Sequence, residues 1–172
     1  MPSITISEAN VSDADAVRWC AQSAYKHYVE RMGKEPAPMR VDFTRAMSKG
    51  TISIAKIDSE LVGFAIHFEQ GDCEQLENIA VLPSHQAKGI GKQLLQHVEN
   101  ISQDKGKSRI ELYTNELMHE NIALYKHLGY AETHRKTEDG FSRVYFSKEI
   151  ANELAKSHAN KLNKELTKKL NK

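Results

Sequence analysis

Residues 74–104 contain, in direct succession, a strand pattern, a glycine-containing loop and an amphipathic helix pattern. The predicted strand is Glu74–Val81, and Pro83 ends it. The loop that follows reads Gln86-Ala87-Lys88-Gly89-Ile90-Gly91. A helix from about Gly89 to Asp104 is predicted because apolar residues recur on one side of it, at Leu94, Leu95, Val98 and Ile101. The pattern predicts a helix whose first turn opens just after a sheet strand.

Two glycines in this loop indicate that a ligand approaches the backbone. Gly89 and Gly91 present no side chain that would obstruct such an approach. The first N–H groups of a helix have no intrahelical acceptor, and the helix dipole favours an anion beside them. Lys88 and Lys92 add positive charge at the same place. These features favour a phosphate site, and the alternative is a plain strand-to-helix turn whose glycines serve close packing.

Two common phosphate motifs do not fit the loop. A P-loop requires glycine at the position of Gln86 and serine or threonine at that of Gln93. A dinucleotide fingerprint requires a third glycine at Leu94 and a place in a first parallel strand–helix–strand unit. Here the loop follows a run of predicted antiparallel strands, so neither motif is assigned.

The other elements are predicted from periodicity and from the positions of glycine and proline. Further strands are predicted at Ser3–Ser7, Thr51–Ile57, Leu61–Glu69, Arg109–Thr114, Tyr130–Lys136 and Phe141–Lys148. Further helices are predicted from a capping box at Ser12 and Asp15 up to Gly33, around Asp42–Ser48, and at Asn121–Leu128. Short turns between consecutive strands predict antiparallel hairpins, and the class is α/β (α+β).

The composition is typical of one soluble domain, with 172 residues, 40% apolar and 27% charged. A net charge of +1 gives no reason to propose nucleic acid or a membrane as partner. Met1–Asn10 lacks the features of a signal peptide, so a cytoplasmic location is predicted. Cys20 and Cys73 lie at no metal-ligand or redox-motif spacing; free thiols are predicted, with a disulfide as the alternative.

The segment 149–172 is predicted to be an amphipathic helical tail that follows a domain of residues 1–148. Its apolar residues recur at multiples of four, at Ile150, Leu154, Leu162, Leu166 and Leu170. Each step of four advances about 40° around a helix of 3.6 residues per turn, so the apolar stripe spirals. The tail is expected to pack either on its own domain or on a partner chain, as in a homodimer. A marginal solvated helix is the third alternative.

Two segments resemble the cofactor motifs of the GNAT N-acetyltransferases. Leu76–Pro83, followed by Gln86-x-x-Gly89-x-Gly91-Lys92-x-Leu94-Leu95, resembles the acetyl-CoA signature of that family. Asn121–Tyr130, which reads NIALYKHLGY, resembles its second cofactor motif. The predicted element order also matches the family's fold up to about Lys148. The resemblance implies the GNAT acyl-CoA N-acyltransferase fold, with a mixed, mostly antiparallel sheet and flanking helices. The Gly33–Met39 loop resembles that of a bacterial subgroup of unassigned substrate.

The resemblance implies acetyl-CoA as cosubstrate and no metal. The pantetheine arm would lie in a gap between splayed strands, with Asn121 on one side and backbone groups of Ile79, Ala80 and Val81 on the other. Main-chain amides would hold the pyrophosphate, at Gln86, Ala87, Lys88, Gly89, Ile90, Gly91 and Lys92. Backbone N–H groups near Ile79–Val81 would also stabilise the oxyanion of the reaction. The eight histidines show no metal-ligand spacing.

Glu77 stands where many family members keep a general base. Period two along the strand predicts that Glu77, Ile79 and Val81 share one side. The alternative is a solvated carboxylate without a catalytic role. Weaker candidates for the base are Glu69, Glu74 and His67.

Tyr125 matches the position where the family places a general acid for the CoA sulfur. Ordinary packing is the alternative, because Ile122, Tyr125 and Leu128 share one helix face. A thiol of pKa about 8.5 leaves readily, so loss of the hydroxyl is expected to slow the reaction without abolishing it.

In this fold the first two helices and their loop would wall the acceptor side. The candidate acceptor contacts are Tyr25, Tyr28, Arg31, Met32 and Pro36. One interpretation is a partly apolar slot in which Arg31 orients the acceptor. The other is that Tyr25, Tyr28 and Met32 are core residues of an amphipathic helix.

The sequence thus predicts an N-acetyltransferase that moves the acetyl group of acetyl-CoA to a primary amine of a small molecule or peptide by direct attack. One alternative is a non-catalytic acyl-CoA-binding sensor module. Another is an interaction protein whose lysine-rich tail docks a partner.

Overall fold

The computed structural model describes residues 3–150 and 153–170, and in the last helix the side chains of residues 161–169 only. Within these residues the strands are β1 Ile4–Glu8, β2 Thr51–Ile57, β3 Glu60–Gln70, β4 Cys73–Val81, β5 Arg109–Asn115, β6 Ala131–Glu138 and β7 Phe141–Glu149. The helices are α1 Ala14–Met32, α2 Phe43–Lys49, α3 Ile90–Asp104, α4 His119–His127 and α5 Glu153–Leu170. Short 3₁₀ turns lie at Val11–Asp13, Ala37–Arg40 and Pro83–His85.

The described strands form one sheet in the order β1-β2-β3-β4-β5-β7-β6. β4 and β5 run parallel, and every other neighbouring pair is antiparallel. The mixed, mostly antiparallel sheet with flanking helices is thereby confirmed. Short turns join β2 to β3, β3 to β4 and β6 to β7, as the sequence predicts.

Two apolar clusters cover opposite faces of the sheet. One joins α1 and α2 to the sheet and includes Phe64 and Ile66 of β3. The other joins α3 and α4 to the opposite face and includes Val62 and Ala65 of the same strand. The consecutive residues Phe64, Ala65 and Ile66 thus alternate between the two clusters, because side chains alternate across a pleated sheet.

The beginning of α1 differs from the prediction. The side chain of Asn10 accepts the amide N–H of Ser12 at 2.9 Å, and the Asp13 carboxylate accepts the N–H of Asn10 at 2.9 Å. The capping box is therefore Asn10 and Asp13, and the predicted box at Ser12 and Asp15 is wrong. Asp13 is buried and binds Lys56 of β2, whereas Asp15 lies on the surface and pairs with Arg18.

A β-bulge in β4 changes the face on which Glu77 lies. Ile66 of β3 pairs with Asn78 and His67 with Leu76, which leaves Glu77 as the extra residue. Ile79, like Leu76, packs in the α3-side cluster, whereas Glu77 contacts Lys49 of α2 on the other side. The prediction that Glu77, Ile79 and Val81 share one side is therefore wrong, because the bulge interrupts the period of two.

The parallel strands β4 and β5 separate halfway along their length. Pairing joins Cys73–Leu76 to Arg109–Leu112 and stops there. Beyond that point β4 continues to Val81, and β5 continues to Asn115 paired only with β7. A gap opens between the two strands, as expected from the family resemblance.

Cys20 and Cys73 are both free and buried, which confirms free thiols. Burial raises the pKa of the Cys20 thiol to about 12.

In α5, Leu162 and Leu166 are 56% and 54% exposed, so neither packs on the domain. The side chains of Leu154 and Leu170 lie outside the described residues. Among the described residues, no helix combines the length and apolarity that a membrane span requires.

Candidate active site

The loop before α3 has the conformation that a phosphate site requires. Ala87 and Gly89 have positive φ angles of 59° and 79°. Gly89 is the N-cap residue of α3, and no side chain caps this helix. Its carbonyl accepts the N–H of Gln93 at 3.0 Å, the first hydrogen bond of the helix. The N–H groups of Ile90, Gly91 and Lys92 are left without intrahelical acceptors.

The space in front of these amides is open. A Cβ atom added at Gly89 would meet nothing within 4 Å, and one at Gly91 would meet only Val81 Cγ2, at 3.8 Å. Lys88 and Lys92 are exposed at this entrance, and neither has an ion-pair partner among the described residues. An anion at this position would meet main-chain donors and two lysines without displacing a side chain.

A cavity of about 300 Å³ lies where β4 and β5 separate, and residues from both faces of the sheet line it. β4 contributes Glu77, Asn78 and Ile79 to its wall. The residues that line it from other elements include Tyr25, Met32, Pro36, Arg40, Arg45, Lys49, Tyr113, Asn121, Tyr125, Phe141 and Arg143. The structure thus brings both predicted catalytic residues, Glu77 and Tyr125, to one cavity, together with Asn121.

Two carbonyl groups on the open edge of β4 are occupied by side chains. The Tyr25 hydroxyl donates to the Ile79 carbonyl oxygen at 2.7 Å and lies 2.9 Å from the Asn78 side-chain oxygen. The Gln86 side-chain amide donates to the Val81 carbonyl oxygen at 3.0 Å. The backbone of Ile79 and Val81 therefore faces the gap and bonds side chains there rather than strand β5.

Tyr125 enters the cavity from a packed position on α4. Its ring contacts those of Tyr130 and Phe146, with centroids 6.0 and 5.7 Å apart. Its hydroxyl has no hydrogen-bond partner within residues 3–150. Burial raises the pKa of Tyr125, and Tyr28 raises it further. The hydroxyl, like that of any tyrosine, keeps its proton at neutral pH and is free to donate it to a ligand.

Glu77 is held by a lysine and is open to the solvent. Lys49 Nζ lies 3.3 Å from Glu77 Oε1, and the two side chains are 39% and 38% exposed. The ammonium group also lies 3.6 Å from the centre of the Phe68 ring. A carboxylate at this position can reach a molecule in the cavity directly or through a water molecule.

The weaker base candidates lie elsewhere. His67 Nδ1 lies 2.6 Å from Glu74 Oε1 and His67 Nε2 lies 3.1 Å from Ser53 Oγ, and all three residues are fully buried. Neither His67 nor Glu74 lines the cavity. Glu69 is on the surface, paired with Lys107 at 2.7 Å. The structure places none of the three candidates in contact with the cavity.

The predicted acceptor contacts divide into two groups. Tyr25, Met32 and Pro36 line the cavity. Tyr28 and Arg31 do not, because both bind Glu120 of α4: Tyr28 donates at 3.2 Å and Arg31 forms two hydrogen bonds at 2.9 Å. Arg31 therefore links α1 to α4 and does not face the cavity.

Sequence reasoning missed the basic side chains of the cavity wall. Arg40 lies on the 3₁₀ turn before α2, and Arg45 and Lys49 lie on α2. The spacing of four between Arg45 and Lys49, on a helix whose Phe43 and Ala46 are buried, is the signal that would have placed both on one exposed face. Among the described residues, no group of three or more histidine, cysteine, aspartate or glutamate residues could hold a metal ion.

Comparisons with known proteins agree with this geometry. The family model described as Acetyltransferase (GNAT) family matches residues 16–130. No curated protein matches the sequence.

Three solved structures illustrate the likeness. The ribosomal-protein-S18-alanine N-acetyltransferase from Escherichia coli is 25% identical, with a TM-score of 0.69 over 86% of this chain and 94% of that one. PaiA N-acetyltransferase from Thermoplasma acidophilum, in complex with coenzyme A, is 21% identical, with a TM-score of 0.74 over 86% and 99% of the two chains. A Bacillus subtilis acetyltransferase in complex with CoA is 19% identical, with a TM-score of 0.67 over 86% and 99%. The last two likenesses establish the fold.

Proposed function

The chain belongs to the GNAT acetyltransferase family, and from that premise we propose that it transfers the acetyl group of acetyl-CoA to a primary amine of a small molecule or peptide. The proposal rests on how three features of the site are arranged along strand β4. The gap between β4 and β5 opens at the cavity lined by Glu77 and Tyr125, and the uncapped start of α3 lies beside Val81 at the end of the same strand β4.

The proposal places acetyl-CoA along the open features of the site. Its pyrophosphate would accept hydrogen bonds from the amides of Ile90, Gly91 and Lys92, with Lys88 beside them. The pantetheine arm would lie in the gap, along the edge of β4 that carries Ile79 and Val81. Asn121 faces the same cavity from α4 and would contact the arm from the other side. The acetyl-CoA and CoA complexes solved for structural neighbours support this choice of cosubstrate.

In the proposed reaction, the amine nitrogen attacks the thioester carbonyl carbon. A C–N bond forms, the C–S bond breaks, and the products are the N-acetyl amine and CoA. Glu77 accepts the proton that the amine loses, and the hydroxyl of Tyr125 gives a proton to the departing sulfur. Backbone N–H groups near Ile79–Val81 stabilise the oxyanion that forms in between.

A thiol-release assay with acetyl-CoA and a panel of primary amines tests this function. The proposal predicts thiol release that depends on both the amine and the protein. Tight CoA binding by calorimetry without thiol release for any amine would instead support a non-catalytic acyl-CoA-binding module. A protein that binds neither CoA nor acetyl-CoA would contradict both functions.

A further inference from the structure

Within the described part of the chain, four basic side chains line the cavity. Arg40 lies on the turn before α2, Arg45 and Lys49 lie on α2, and Arg143 lies on β7. The acidic lining residues are Asp42 and Glu77. Arg45 and Lys49 lie four residues apart on α2 and so share a face, one helical turn or about 6 Å apart along the axis.

Three of these four cations already have carboxylate partners. Lys49 pairs with Glu77 at 3.3 Å, Arg40 with Glu35 at 3.0 Å, and Arg143 with Glu138 at 3.0 Å. Asp42 accepts the backbone N–H of Arg45 at 3.0 Å as the N-cap of α2. The guanidinium of Arg45 makes no hydrogen bond or ion pair with any residue that the structure describes.

From this arrangement we propose that the acceptor carries an anionic group, a carboxylate or a phosphate, in addition to its amine, and that Arg45 binds that group. The inference rests on the proposed acetyltransferase function. An amine that approaches Glu77 places the rest of the molecule one helical turn from a guanidinium whose five N–H donors are free. The planar fork of arginine fits a carboxylate or phosphate through two parallel hydrogen bonds.

The same wall disfavours acceptors that carry a second ammonium group. Such a group would lie beside the unpaired guanidinium of Arg45, where like charges repel it. Met32, Pro36 and Phe141 also line the cavity and offer apolar contacts to the body of the acceptor. Arg45 therefore determines specificity between anionic and cationic amines.

Matched acceptor pairs test the inference. Tyrosine is compared with tyramine, and phosphoethanolamine with ethanolamine, so that one pair reports on a carboxylate and the other on a phosphate; putrescine serves as the dication. Steady-state kinetics with saturating acetyl-CoA are measured for the wild type, Arg45→Gln, Arg45→Lys and Arg18→Gln. Arg18 is an exposed arginine on α1 that pairs with Asp15 and does not line the cavity, so Arg18→Gln is the matched control.

For at least one pair we expect the wild type to prefer the anionic member and to turn over putrescine least. Arg45→Gln lowers kcat/KM for that member by about tenfold or more, mainly through KM, because charge-assisted hydrogen bonds are lost. Its kcat/KM for the partner without the anionic group, and its KM for acetyl-CoA, stay within about twofold of the wild type. That margin is well below the tenfold that corresponds to 1.4 kcal/mol. Arg45→Lys restores part of the effect because it keeps the charge and loses the fork.

The failure of this inference is distinguishable from the failure of the proposed function. Thiol release that favours amines without an anionic group, or that falls equally for both members of a pair in Arg45→Gln, overturns the anionic acceptor and leaves the acetyltransferase intact. The absence of thiol release with every amine contradicts the acetyltransferase, and the inference falls with it.

Discussion

Glu77 and Tyr125 line one cavity, but their surroundings give them different chemistry. Glu77 is the extra residue of a bulge and faces the solvent beside Lys49. Tyr125 is packed among aromatic rings. Its hydroxyl is protonated at neutral pH, as in any tyrosine, and burial raises its pKa further. An open carboxylate suits proton acceptance, and a buried hydroxyl without a partner suits proton donation.

Replacing Tyr125 by phenylalanine removes the proposed acid and keeps the ring in its packing. We expect kcat to fall by about tenfold, less than the ~10²–10⁴ usual for acid–base groups, because a thiolate leaves readily. The affinity for CoA stays unchanged. Stopped-time thiol release and calorimetry measure the two quantities.

The matched control is Tyr130→Phe, which removes a hydroxyl that donates to Glu99 at 3.2 Å in the same aromatic cluster but outside the cavity. It should lower stability and leave kcat near that of the wild type. Normal turnover in Tyr125→Phe would assign Tyr125 to packing alone.

Replacing Glu77 by glutamine removes the proposed base and preserves the shape of the side chain. We expect kcat to fall by about 10²-fold at neutral pH, since a positioned general base contributes at least that much in many enzymes. The control is Glu69→Gln, on the surface of β3 and outside the cavity. Equal kcat values for Glu77→Gln and Glu69→Gln would show that Glu77 is a solvated carboxylate without a catalytic role.

At the scale of elements, α1 is connected to α4 through one bidentate ion pair. Arg31 donates to both carboxylate oxygens of Glu120 at 2.9 Å, and Tyr28 donates to the same group. Hydrogen bonding from Arg31 lowers the pKa of Glu120 from its usual 4.5 to about 2. α4 carries Tyr125 and Asn121, so this pair fixes the helix that lines one wall of the cavity.

The pair predicts how stability depends on acid pH. Because the pKa of Glu120 is lower in the folded protein than in the unfolded chain, its contribution is present above about pH 4.5 and is lost as the pH falls towards 2. In Glu120→Gln, the urea midpoint should fall less than that of the wild type between pH 6 and pH 3. The effect is modest because the Glu120 side chain is 58% exposed.

The control for this measurement is Glu30→Gln, an exposed glutamate of α1 with no ion-pair partner in the described part of the chain. Its pH dependence should follow that of the wild type. Parallel curves for wild type and Glu120→Gln would show that the pair adds nothing to stability.

Local sequence patterns predicted the strands and helices, whereas the geometry of the candidate site depends on contacts between residues that are distant in the sequence. Thr51–Ile57 was predicted with its observed bounds, because apolar alternation and flanking turns are local signals. The bulge at Glu77 depends on the register of β4 against β3, which no local window contains. Likewise Arg31 and Glu120 lie 89 residues apart in the sequence, so only the fold reveals that the Arg31 guanidinium is bound to the Glu120 carboxylate.

At the scale of the whole molecule, the two clusters hold the sheet between helix pairs, and the separation of β4 from β5 leaves an opening between them. The proposed phosphate site at the start of α3 lies just after the end of β4, and the cavity lies along the same strand. Ile150 packs against the α3-side cluster, while residues 161–169 are exposed. The domain and its cavity are therefore complete without the side chains of 161–169.

Truncation after Ile150 tests the role of the tail. Because Leu162 and Leu166 are more than half exposed, we expect the melting temperature and kcat of the shortened chain to match those of the full chain. A loss of dimer by light scattering together with a lower melting temperature would instead show that the tail packs on a partner chain.

Calorimetric titration of CoA into the wild type, Gly89→Ala and Gly89→Glu tests the phosphate entrance most directly. Gly89 has a φ of 79°, so alanine adds only backbone strain, about 1–2 kcal/mol, in an otherwise open space. Glutamate adds the same strain and places a carboxylate where the pyrophosphate would lie. A phosphate site at Gly89 predicts measurable CoA binding to Gly89→Ala and none to Gly89→Glu, with both variants folded. CoA affinity in Gly89→Glu equal to that of the wild type would contradict it.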